Sequence, residues 1–168
     1  MKVLELFAGT RSIGKAFEEK GHEVFSVEWD KDFENIDLYA DIGTVTAEEI
    51  LEKFGHPDVI WASPDCSTFS IAAISHHRRR DPETGNLDPV SDYAKFCDKV
   101  DTHVIELIRE LNPKFKPMCK NGDPCHVRAP RGAKTGTQGL KGSKERSVIP
   151  PELCRHIVEI CEEGDSQC

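Results

Sequence analysis

At 168 residues the chain has room for one domain with a real core and not for two comfortable ones. A hydrophobic fraction of 38% beside 31% charged residues describes a globular chain, and no apolar run approaches the roughly 20 residues that cross a bilayer. The net charge of −8 argues against a polyanionic partner only until it is divided along the chain. Residues 1–113 carry −11 and residues 147–168 carry −4, whereas residues 114–146 carry +7. Such a basic stretch is a phosphate-facing surface or a solvated loop, and charge alone does not separate the two. The seven cysteines are odd in number and scattered, which excludes a paired disulfide framework. With no export signal at its start, the chain is expected in a reducing cytoplasm, its cysteines free thiols or metal ligands.

In chain order, Lys2–Phe7 reads as an apolar strand, followed by the small-residue turn Ala8-Gly9-Thr10 and a helical pattern over Ile13–Lys20 that Gly21 stops. Glu23–Val27 reads as a second strand ending at Glu28-Trp29-Asp30, and a weaker third strand is expected near Leu38–Asp41. Thr46–Phe54 is helical, with Thr46 and Glu49 spaced as a capping box. Val59–Ala62 has the continuous apolar character of a buried strand. Strands alternating with helices imply a parallel sheet covered on its faces. From Ser75 to Pro89 the pattern dissolves into a polar loop.

Asp92–Leu111 is the longest predicted helix, with Phe96, Val100, Val104, Leu107 and Leu111 on one apolar face and Asn112-Pro113 as its stop. Residues 114–147 lack apolar periodicity and read as loop. Pro150-Pro151 then opens a final helix with a narrow stripe of Leu153, Ile157 and Ile160 or Cys161. The expected organisation is therefore a half at 1–113 that carries the chemistry, a basic segment at 114–147, and a C-terminal helix within 148–168 that returns to the first half.

Three constellations carry chemistry. The strand–turn–helix around Phe7, Ala8, Gly9 and Thr10 lets a ligand approach the backbone, a weak signal common to nucleotide binders. Glu28 closes the second strand about 20 residues further on, where a carboxylate accepts both ribose hydroxyl protons and the neighbouring Trp29 can stack on a base. WASPDCSTFS at 61–70 follows a strand directly, so topology puts Cys66 at the carboxyl edge of the sheet, where open α/β folds bind ligands. A lone cysteine is usually a buried structural residue. A strand-end loop beside a cofactor turn is where that expectation gives way to a reactive thiol.

Together these segments resemble the motifs of the DNA cytosine-5 methyltransferases, in the order that family keeps and in the manner of its small phage and prophage members. LELFAG with SIG is similar to the first motif, VEWD at 27–30 to the second, ADIG at 40–43 to the adenine loop, and ASPDCSTFS to the nucleophile loop. RSVIPPELCRHIVEI resembles the last motif, which packs beside the first, and TGTQG and KGSKER before it resemble DNA-facing segments. The resemblance implies a Rossmann-like α/β fold that binds S-adenosylmethionine at Phe7, Ala8, Gly9, Thr10, Glu28, Trp29, Asp41, Ile42, Ser63 and Pro64. It gives Glu28 the ribose, Trp29 a face of adenine and Asp41 the adenine amino group. It also implies that Cys66 attacks C6 of a flipped-out cytosine in double-stranded DNA, so that C5 takes the methyl group. Arg78, Arg79 and Arg80 on the loop after the nucleophile, with Lys134, Lys141, Lys144 and Arg146, then become phosphate contacts.

The sequence departs from the family pattern twice. Asp65 stands where members have proline, and a carboxylate there opposes a Cys66 thiolate unless it points into solvent. After the long helix, the Glu-Asn motif that grips the cytosine ring is missing, as though a block with the later strands had been lost between 113 and 114. The sheet is then expected to be incomplete, about four strands, with an exposed edge that favours self-association. Turnover loses several orders of magnitude without the missing acid. A cofactor- or DNA-binding module without catalysis is therefore an alternative. An amino-methyltransferase is a weaker one, because Cys66 stands where that chemistry wants an aromatic ring. Cys119, Cys125 and His126 are weak metal candidates at non-standard spacing, better explained by a turn on Asn121-Gly122-Asp123-Pro124.

Overall fold

The computed structural model describes residues 1–114 and 148–166. Lys2–Leu6 forms β1, Ser12–Glu19 α1, Glu23–Glu28 β2, Leu38–Tyr39 β3, Ala47–Lys53 α2 and Val59–Ala62 β4. Ile74–His77 forms the short α3, Arg78–Arg80 β5, Leu87–Pro89 β6, Asp92–Leu111 α4 and Pro151–Ser166 α5. The main sheet has the order β3-β2-β1-β4 with every pair parallel. Among the described residues β4 carries no strand on its outer side, so the sheet they form has four strands and an open edge at β4.

The alternation of β1 decides which helix covers which face. Leu4 and Leu6 pack with Val27, Ile50, Val104, Leu107 and Leu111, the face covered by α2 and α4. Val3 points the other way, into a cluster with Ile13, Phe17, Val59, Cys154 and Val158 under α1 and α5. The C-terminal helix therefore does return to pack on α1. Its buried stripe is Cys154 and Val158, with the expected Ile157 and Cys161 half-buried against the same cluster, while Leu153 and Ile160 are exposed.

Glu5 shares the α1 face of β1 and is buried there, its Oε1 accepting the Gly14 N–H at 3.0 Å. A Cβ on Gly14 would sit 2.3 Å from Glu5 Oε2, so only glycine lets α1 approach the strand this closely. The buried Oε2 has no hydrogen-bond partner and lies 3.9 Å from Arg11 Nε. Burial, chiefly, pushes the Glu5 carboxyl up to about 7, against the opposing pull of the Gly14 N–H and of Arg11.

Two expectations need correction. The segment 75–89 is not a plain loop: α3 leads into an antiparallel hairpin of β5 and β6. Its turn is held by Asp81, whose carboxylate accepts the N–H groups of Glu83 and Thr84, and by Gly85 at φ +75°. The hairpin escaped the periodicity because an arginine, described below, fills its core. In α4, which starts at the Ser91 cap, Phe96 is 55% exposed instead of joining the apolar face, since this end of the helix overhangs a cavity.

Candidate cofactor cavity and nucleophile loop

The strand order reverses at β1, so the turn after β1 and the loop after β4 open side by side at the carboxyl edge of the sheet. A cavity of about 440 Å³ lies there, within the size range of small-molecule sites. Phe7, Trp29, Asp41, Ile42 and Pro64 line it, five of the residues that the sequence assigns to a cofactor. A smaller recess of about 100 Å³ adjoins it through Phe7 and is lined by Ala8, Gly9, Thr10 and Ser63, with Glu5, Ser12, Trp61 and Ile149. Phe7 sits at φ 57°, a left-handed conformation costly for a side chain of its size and found where a site over-determines the backbone.

Trp29 exposes 67% of its surface at the cavity, which is where a ring kept for stacking belongs and not where a core tryptophan would be. Asp41 is on the wall, with one oxygen accepting the Gly43 N–H at 3.0 Å and the other open. Glu28 differs from expectation. It is only 5% exposed, and its carboxylate already accepts the N–H groups of Gly9, Trp29 and Asp30 at 2.9, 2.9 and 3.1 Å. A carboxylate has about four acceptor positions, and three of those of Glu28 are filled within the chain. Its first task is to tie the turn after β1 to the end of β2.

The far wall was not legible in the sequence. Tyr93, Phe96, Cys97, Val100 and Asp101 from the first turns of α4 complete the cavity, together with Asp65. The clue available was the pair of aromatic residues at 93 and 96 ahead of the apolar stripe, three apart and so on one helix face. Asp65 is exposed, yet it accepts hydrogen bonds from Tyr93 Oη, from the Ser67 N–H at 2.7 Å and from Ser67 Oγ at 3.0 Å. Partial burial pushes the Asp65 carboxyl up, but those bonds outweigh it and hold it below the usual carboxylate range. The same contact pushes Tyr93 up to about 12.

Cys66 is exposed, at φ −96° and ψ 8°, the bridge conformation in which active-site residues often sit. Its sulfur is not on the cavity wall, although Pro64 and Asp65 immediately before it are. Cys97, Cys154 and Cys161 are buried or half-buried, and burial pushes their thiols up.

The loop after Cys66 is pinned from below. Arg78 is 4% exposed and its guanidinium bonds Asp98 at 2.5 and 3.1 Å, Thr68 Oγ1 at 2.9 and 3.2 Å, and the Leu87 carbonyl at 3.3 Å. It also lies 3.5 Å over the Phe69 ring. Arg78 is therefore not available to DNA phosphate as the sequence suggested; it is the buried brace that joins the loop after Cys66, the hairpin and α4. Arg79 and Arg80 remain exposed, with Arg80 donating to the Gly85 carbonyl at 2.7 Å. Lys134, Lys141, Lys144 and Arg146, and the metal candidates Cys119, Cys125 and His126, lie outside the described residues. Among the described residues no cluster of three or more metal-ligating side chains occurs, and no helix is long and apolar enough to cross a membrane.

A parallel sheet with helices on both faces, opening a cavity at the strand-order reversal, is a Rossmann-like arrangement. Residues 1–115 match the family model of the C-5 cytosine-specific DNA methylases, and the chain belongs to that family. No curated protein matches it. Among solved structures it is similar to a triple mutant of DNMT2 from Spodoptera frugiperda, at 19% identity and a TM-score of 0.39. That likeness covers 66% of this chain and 32% of the other, so the chain spans about a third of that relative's length.

Proposed function

We propose that the chain is the cofactor-binding and nucleophile half of a DNA cytosine-5 methyltransferase, with S-adenosylmethionine as methyl donor and double-stranded DNA as substrate. The observation that carries this is that Pro64 and Asp65, directly before the exposed Cys66, line the same cavity as Phe7, Trp29 and Asp41. The residues present suit the donor. Trp29 offers an exposed face to adenine, Asp41 keeps an open acceptor for its amino group, and Glu28 has one acceptor left for ribose. The glycine turn and the recess behind Phe7 then receive the amino-acid end. S-adenosylmethionine supplies the transferable methyl group; the chain holds it and presents the thiol. Arg79 and Arg80 on the hairpin, with Lys134, Lys141, Lys144 and Arg146, supply the phosphate contacts, each adding about one unit to the log–log salt slope.

After the long helix the sequence has no Glu-Asn motif to bind the cytosine ring, and the Glu34-Asn35 pair follows β2 where it cannot serve, so turnover is expected to be very slow. The same gap favours the second reading, a module that binds cofactor or DNA without methylating it. The test is incubation with duplex containing 5-fluorocytosine in the presence of S-adenosylmethionine, since a cysteine adduct there resists denaturant. A slow covalent complex that Cys66→Ser abolishes is the expected result. Cofactor binding with no adduct after prolonged incubation would leave the binding module as the function. Brief iodoacetamide treatment should modify Cys66 ahead of Cys97 and Cys154; the reverse order would remove Cys66 as the nucleophile.

A further inference from the structure

The main cavity has an unusual charge balance. Its wall carries the carboxylates of Asp41, Asp65 and Asp101 and the rings of Phe7, Trp29, Tyr93 and Phe96. Among the described residues no lysine, arginine or histidine lines it. Arg78 is paired with Asp98, and Lys99 and His103 line a neighbouring groove shared with Phe96 and Val100. Carboxylates and aromatic faces together attract a cation, the first through charge and the second through the ring quadrupole. Asp65 is the carboxylate nearest the nucleophile in sequence, and Tyr93 and Ser67 hold it in one orientation.

We propose that Asp65 is a specificity-determining residue that makes this cavity prefer a positively charged adenosyl ligand, the sulfonium S-adenosylmethionine, over its neutral thioether product S-adenosylhomocysteine. The inference rests on the cofactor reading above and adds a discrimination to it. Transfer of the methyl group converts the sulfonium into a thioether, so the ligand loses its positive centre while the wall keeps its negative one. The carboxylate thus favours substrate and weakens product. Asp101, on α4 and independent of the nucleophile loop, adds to the same field; burial and then the Asp98 charge push its own carboxyl up. This also gives Asp65 a use, at a position where its charge otherwise opposes a Cys66 thiolate.

The experiment is calorimetry on the full chain with S-adenosylmethionine, S-adenosylhomocysteine and sinefungin, whose primary ammonium replaces the sulfonium without being transferable. The wild type should bind the two cationic ligands more tightly than the thioether. Asp65→Asn should shrink that preference by roughly three- to tenfold, the effect of one partly exposed charge pair after screening. Asp65→Asn keeps a hydrogen-bonding side chain against Tyr93, and Asp101→Asn tests the same field without touching the loop, should the first variant fold poorly. Equal preference in the wild type and both variants overturns the proposal and leaves the cofactor reading standing. No binding of any of the three ligands by the wild type overturns the cofactor reading, and the selectivity falls with it.

Discussion

Replacing Arg78 with alanine tests whether the buried brace organises the nucleophile loop. The substitution removes the paired contact with Asp98, two bonds to Thr68 Oγ1, one to the Leu87 carbonyl and the stack on Phe69. Breaking a fully buried ion pair costs about 3–5 kcal/mol. The Asp98 side chain is 36% exposed and can rehydrate, which reduces that part to about 2 kcal/mol. Losing the stack and leaving the fully buried Thr68 hydroxyl unpaired adds roughly 1 kcal/mol, for a total near 3 kcal/mol. Urea unfolding followed by circular dichroism reads this as a lower midpoint at an unchanged slope. Arg78→Lys keeps the charge but not the fork and should recover part of the loss. Arg79→Ala and Arg80→Ala, which remove exposed groups, should stay within about 0.5 kcal/mol of wild type. If Arg78→Ala is as stable as these two, the guanidinium is not a structural brace and the reasoning from its burial fails.

Two further predictions follow from buried carboxylates. The Glu5 carboxyl sits at about 7 in the folded chain against 4.5 for the free side chain, so its stability contribution is fully present below pH 4.5 and is lost as pH rises through 7. Glu5→Gln should remove roughly 3 kcal/mol of that pH dependence, and parallel wild-type and mutant stability curves between pH 4.5 and 8 would contradict it. Glu28→Ala should weaken S-adenosylmethionine binding by at least about tenfold, from one lost charge-assisted hydrogen bond, and should also lower the melting temperature, because three backbone N–H groups lose their acceptor. Equal affinities by calorimetry would remove Glu28 from the cofactor site, whereas an unchanged melting temperature would show that water satisfies the turn.

What the sequence determined by itself was local. The strands β1, β2 and β4, the Thr46 cap and the bounds of α4 follow from side-chain period, capping and turn chemistry, all of which act over a few neighbouring residues. That the turn at Phe7–Thr10, Glu28 and the loop carrying Cys66 lie at one edge was legible because topology sends every strand end of a parallel sheet to the same side. Tertiary structure decided what those residues face. Glu28 is buried, with three backbone N–H groups on its carboxylate, because the turn after β1 folds onto it. Arg78 stands among three consecutive arginines that look alike in sequence, and only the convergence of Thr68, Phe69 and Asp98 from other elements buries the first and leaves the next two in water. The cavity's far wall comes from α4, some 85 residues beyond Phe7, and Asp65 finds its partner in Tyr93 from the same helix. Periodicity reports which side of an element is apolar, but the partner of a polar side chain is set by segments that meet only when the chain is folded.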